Sequence, residues 1–259
     1  MKSIILFTLV SLGIPTMHFT GIVQQKQASD TSSSKIEVFT FTSNGTEMKG
    51  KIYLPSSYNV NKHLPAIYLI DFTEQHFKLA TDEFEKVIDG VNQLNDFNAL
   101  VVSLDGIPDI DAEPHKFEEH YSIFKDLSSY VDSVYTNNSS RTFIGKGSES
   151  GVVLMTMFME NSENPIFDNY IVTDPSPKYA STIIKLIGTD DFPKKKSNKK
   201  LHYSFSTSND RAKCIQLIDL IKDAKYKWLQ FEFKEYTNSD YENTYPVSYA
   251  EGIKYVFNK

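Results

Sequence analysis

Thr142-Phe143-Ile144-Gly145-Lys146-Gly147-Ser148-Glu149-Ser150-Gly151 leads into an apolar stretch, Val152 to Met159. Residues 142–144 have strand-forming side chains, and the Gly/Ser run marks a tight turn. The apolar stretch predicts a helix with no polar face, which is normally buried inside a larger fold. A strand passing through a turn into such a helix is one unit of a layered α/β architecture.

The same alternation extends in both directions. Upstream, Leu64 to Ile70 reads as a strand with little alternation, as expected for one covered on both faces. Phe84, Val87, Ile88 and Val91 form a helical stripe, Ala99 to Leu104 a strand, and Phe117, Tyr121, Phe124, Val131 and Val134 a second stripe. Downstream come a strand at Tyr170 to Val172, a helix at Tyr179 to Leu186, and a strand at His202 to Phe205. The helix around Cys214, a strand at Leu229 to Phe233 and a final helix striped by Ala250, Ile253 and Phe257 complete the run. Before all of these, Lys35 to Phe41 and Met48 to Leu54 flank Asn44-Gly45, a hairpin signal. The expectation is an α/β fold: a mostly parallel central sheet, an N-terminal antiparallel hairpin, and helices on both faces. Ligands in such sheets collect at the carboxyl ends of strands, here after Ile70, Ile144 and Phe205.

The chain has 259 residues, 40% of them apolar, enough for one domain with a substantial core. That domain is placed at residues 35–259. Met1-Lys2 and the apolar run Ile4 to Val10 describe a secretory signal peptide over 1–23, too short to span a bilayer. A buried strand or an uncleaved anchor is the alternative. Residues 24–34 are polar and read as a flexible lead-in, so export to a periplasm or the exterior is expected. The net charge of −6 gives no electrostatic reason to bind nucleic acid. Lys194, Lys195, Lys196, Lys199 and Lys200 read as a solvated loop. The single cysteine excludes an internal disulfide, and Cys214 shares an apolar helix face with Leu217, Ile218 and Ile221, so it reads as a core residue. His115 and His120 are five residues apart and diverge on a helix, so no metal site is expected. No phosphate loop or dinucleotide fingerprint occurs, and no cofactor is expected.

The turn at 145–151 invites comparison with the serine-hydrolase elbow, G-x-S-x-G, in which a strained turn exposes a serine at the start of a helix. With Ser148 as nucleophile, both outer glycines are missing, since Lys146 and Ser150 stand there. The alternative is a Gly/Ser turn with Ser148 as a helix N-cap.

Beyond the elbow, Ile52-Tyr53-Leu54-Pro55, Leu64 to Asp71 with His76-Phe77, Arg141 to Gly151, Ile166 to Tyr170 with Pro175-Ser176, and Ser248 to Phe257 follow one another in a familiar order. Together they resemble a bacterial esterase family of the α/β-hydrolase superfamily, the group containing esterase-D-like and siderophore-esterase-like proteins. The resemblance covers roughly residues 36–258. It implies Ser148 as nucleophile, with oxyanion donors from the backbone of Glu149 and of Phe72 or Thr73, and Asp210 as the acid. Asp210 reads equally as the cap of the Cys214 helix.

The family's histidine falls near Tyr241, and no histidine follows His202. A serine without a general base is a poor nucleophile near pH 7, and a tyrosine, with a pKa of about 10, does not replace imidazole. His76 from another loop and Glu242 are the candidate substitute bases. Two principal readings stand: a carboxylic ester hydrolase acting through Ser148, and a degenerate member that binds a small-molecule ester, another ligand or a protein. A third is a scaffold used only for interactions. The sequence leaves the oligomeric state open.

Overall fold

The structure, a computed structural model, describes residues 33–71, 82–106, 114–160, 164–187 and 198–258. The predicted signal peptide, most of the lead-in, Phe72, Thr73, His76 and Lys194 to Lys196 lie outside the described residues.

The chain opens with β1 (Lys35–Ser43) and β2 (Thr46–Leu54), antiparallel in unbroken register. Asn44 and Gly45 both take left-handed backbone angles, φ 50° and 79°, as a two-residue hairpin turn requires. There follow β3 (Ala66–Asp71), α1 (Glu83–Asn92), β4 (Leu100–Asp105), α2 (Phe117–Val134), β5 (Arg141–Lys146) and α3 (Gly147–Met159). The remainder alternates as β6 (Asn169–Thr173), α4 (Pro177–Ile187), β7 (Lys199–Ser206), α5 (Arg211–Ala224), β8 (Leu229–Tyr236) and α6 (Tyr241–Phe257).

All eight strands form one sheet in the order β1-β2-β4-β3-β5-β6-β7-β8. β2 meets β4 antiparallel, and every pairing from β4 through β8 is parallel. This is the expected architecture. Alternate residues of β3 serve opposite faces, because successive strand side chains point to opposite sides. Ala66, Tyr68 and Ile70 join the core under α2 to α5, whereas Ile67 and Leu69 join the core under α1 and α6. Burial on both faces explains the near-continuous apolar runs of the central strands. Cys214 is buried in the first of these cores, and burial raises its thiol pKa to about 11, so it packs as a small apolar residue.

The basic run does not behave as a uniform solvated loop. Lys199 opens β7 and is 1% exposed, its Nζ donating to Glu160 Oε2 at 2.9 Å, Phe167 O at 2.7 Å and Tyr170 Oη at 3.0 Å. Tyr121 and the Ile166 amide donate to Glu160 Oε1 at 2.5 and 2.6 Å. A lysine is tolerated at such depth because its charge is paired and its protons are hydrogen-bonded.

Candidate functional site

The turn between β5 and α3 sits at the carboxyl end of the central strands. Lys146 is still extended, with φ −122° and ψ 159°, and Gly147 then swings to φ +58° before the helix begins. Only glycine adopts that left-handed angle without strain. A hydrolase elbow places its nucleophile at the strained residue of this turn, and here that residue is Gly147. Gly145 supports the same register. A Cβ on it would lie 3.0 Å from the Glu149 carbonyl carbon and from the Ser150 amide nitrogen. The helix start therefore packs on the strand where only glycine fits, as the first glycine of the elbow motif demands.

The bend thus falls one residue before Ser148. Ser148 is the second residue of α3 and is exposed at its rim; it is not the residue at the bend. The amide that follows the bend belongs to Ser148, and that of Glu149 comes one residue later. Ser150, the motif's other serine, is buried and structural. Its Oγ donates to Gly147 O at 3.0 Å and Thr173 O at 3.1 Å, tying the turn to β6.

Tyr241 occupies the space where a side chain on Gly147 would go. A Cβ there would collide with the Tyr241 hydroxyl and would also lie 3.7 Å from Glu149 Oε2. Tyr241 is the first residue of α6, whose cap Asp240 accepts a hydrogen bond from the Asn243 amide at 2.9 Å. Burial raises the Tyr241 phenol pKa, and the charges of Glu149, Glu83, Glu242 and Asp174 raise it further. It remains protonated at neutral pH and is unsuited to serve as a base.

Behind the phenol lies a group not anticipated from the sequence. The buried Lys146 ammonium is 3.8 Å from Glu83 Oε1, 3.7 Å from Glu242 Oε2, and 3.8 and 5.1 Å from the ring centroids of Tyr245 and Tyr241. Tyr249 donates to Glu83 Oε2 at 2.6 Å, and Tyr245 hydrogen-bonds Asp82. Tyr241, Tyr245 and Tyr249 recur every fourth residue, so they share one face of α6. That spacing was the available sequence signal.

The remaining candidates are dispersed. Asp210 caps α5, its Oδ1 accepting from the Lys213 amide at 3.2 Å. Glu242 has a side chain 72% exposed and an ion pair to Lys146, which excludes the partial burial needed to make it a base. At the end of β6, Asp174 has φ 48° and accepts from the Ser206 amide at 2.7 Å and Asn209 Nδ2 at 3.2 Å. Its carboxyl pKa is raised by burial. A cavity of about 670 Å³, lined in part by Leu94, Phe97, Lys254 and Phe257, lies toward the amino ends of the strands, away from the elbow.

No family model matches the sequence, and no curated protein matches it. Solved structures do. An IroE-like serine hydrolase from Shewanella oneidensis is similar with a TM-score of 0.66 at 16% identity, over 86% of this chain and 80% of that one. The siderophore hydrolase EstA from Aspergillus nidulans gives 0.60 at 13% identity, over 93% and 98%. An uncharacterised protein from Capnocytophaga ochracea gives 0.64 at 15% identity, over 85% of this chain and 63% of the other, so the chain spans under two thirds of that protein. These likenesses define the fold as that of the esterase-like α/β-hydrolases. Within that fold, this chain carries glycine at the bend and tyrosine against it.

Proposed function

We propose that this chain is a non-hydrolytic member of the esterase-like α/β-hydrolases, acting by binding a ligand or protein and not by turning over an ester. The observation that carries this reading is the pairing of Gly147, at φ +58°, with the Tyr241 hydroxyl lodged against its Cα. The residue at the bend has no side-chain oxygen, the phenol fills the volume a side chain there would need, and no histidine follows His202 in the chain. The Lys146 side chain close by lies against two carboxylates and two aromatic rings. Export through residues 1–23 is part of the same proposal and rests on the sequence pattern alone.

Hydrolysis of aryl esters tests the reading. Wild type and Ser148→Ala are expected to match the buffer rate, and a fluorophosphonate serine probe is expected to leave the wild type unlabelled. A rate above background that disappears in Ser148→Ala would restore the hydrolase reading.

A further inference from the structure

We infer that β8 is the pairing edge for a second copy of this chain, which adds antiparallel about a two-fold axis through Phe233. β8 is the last strand of the sheet and carries no further strand among the described residues. An unpaired strand edge is a template for another chain unless it is short, bulged, interrupted by proline or guarded by charges. β8 has eight residues in unbroken one-to-one register with β7, and contains neither proline nor glycine. Of those devices only charge is present, and its signs differ along the strand, Glu232 and Glu235 being negative and Lys234 positive.

The side chains specify the occupant. Lys234 and Tyr236 contact Glu251 on α6, which places even-numbered residues on that face. Phe233 and Glu235 contact Lys222 and Arg211 on α5, which places odd-numbered residues on the other face. In an antiparallel pair, residues directly opposite share a face. Centred on Phe233, a second copy sets Glu232 opposite Lys234, and Lys234 opposite Glu232, on the α6 side. On the α5 side it sets Phe233 against Phe233. Gln230 then faces Tyr236, and Phe231 faces Glu235. Glu232 and Lys234 have side chains 52% and 44% exposed, and Phe233 is itself 37% exposed. The charges of Glu232 and Lys234 are opposite in sign, so the strand is complementary to itself, as a two-fold interface requires.

Sedimentation of the full chain at about 50 μM is expected to give a species of twice the 29.6 kDa chain mass. Phe233→Asp and Phe233→Lys each place like charges on the axis and are expected to weaken dimerisation at least tenfold. An equimolar mixture of the two is expected to recover a heterodimer, an outcome that misfolding cannot produce. Glu232→Lys, at an exposed position, is a second variant expected to give monomer. A monomeric wild type, a dimer indifferent to residue 233, or a mixture that remains monomeric would each overturn the proposal. A dimer formed through β1 belongs to the second of these outcomes.

Discussion

The claim that the Tyr241 hydroxyl fills the place of a side chain on residue 147 can be tested without any ligand, through a double-mutant cycle. Gly147→Ala adds a single carbon at φ +58°. The left-handed backbone alone costs a non-glycine residue about 1–2 kcal/mol. The new Cβ also meets the phenolic oxygen, and relieving that overlap costs a further amount on the order of 1–3 kcal/mol, as for other overpacked sites. The ring has limited room to retreat, because it lies 5.1 Å from the Lys146 ammonium and its backbone is fixed at the capped start of α6. Gly147→Ala in the wild-type background is therefore expected to lower stability by about 2–5 kcal/mol. Tyr241→Phe removes the oxygen and leaves the ring carbon at 3.4 Å from the added Cβ, an acceptable contact. In that background the same alanine is expected to cost only the backbone term of about 1–2 kcal/mol. Urea denaturation of the four proteins then yields a coupling of about 1–3 kcal/mol between residues 147 and 241. Effects that add to within about 0.5 kcal/mol would refute the occupancy of the elbow by the phenol.

Three further outcomes follow from polar side chains elsewhere in the fold. His202 is fully buried and its pKa is lowered from 6.5 to about 4, chiefly by burial; the unfolded chain takes up this proton first, so stability present above pH 6.5 is lost as pH falls towards 4, by up to about 3 kcal/mol. His202→Met is expected to reduce the difference in urea midpoint between pH 7 and pH 4.5, and an unchanged difference would remove the histidine as its cause. Lys199→Met strands the Glu160 carboxylate, 1% exposed, and is expected to cost about 3–5 kcal/mol by thermal or urea melting; a loss under 1 kcal/mol would mean that the pair is not desolvated. Asp210→Ala removes the α5 cap and is expected to cost about 1 kcal/mol, a loss that a glycine at the same position largely avoids; equal losses for the two would count against capping.

Much of the fold was legible because it depends on repeating patterns. Asn44-Gly45 specified its hairpin, and the two-sided apolar strands Leu64–Ile70 and Ala99–Leu104 specified a covered parallel sheet. The site was less legible because it depends on register. Gly145-Lys146-Gly147-Ser148-Glu149-Ser150-Gly151 offers two serines and three glycines, and anchoring the motif on a serine selected Ser148. The backbone makes the selection differently, because the bend must fall where φ can be positive and the preceding glycine must lie against the helix start. Gly147 and Gly145 meet those two conditions. Tyr241 opens α6, and its contact with residue 147 joins positions 94 apart and is not visible in local spacing.

The combination retained at the elbow is informative in itself. An unfilled gap at the bend would cost stability in proportion to its size. Here the glycine that removes a side chain and the tyrosine that fills its volume are matched, and Lys146 between Glu83 and Tyr245 supports the tyrosine from behind. Ser150 still fastens the turn to β6, and Gly145 still admits the helix against the strand. At the bend itself, Gly147 and Tyr241 meet by packing. That packing at the bend is the physical basis of the proposed binding role on this fold.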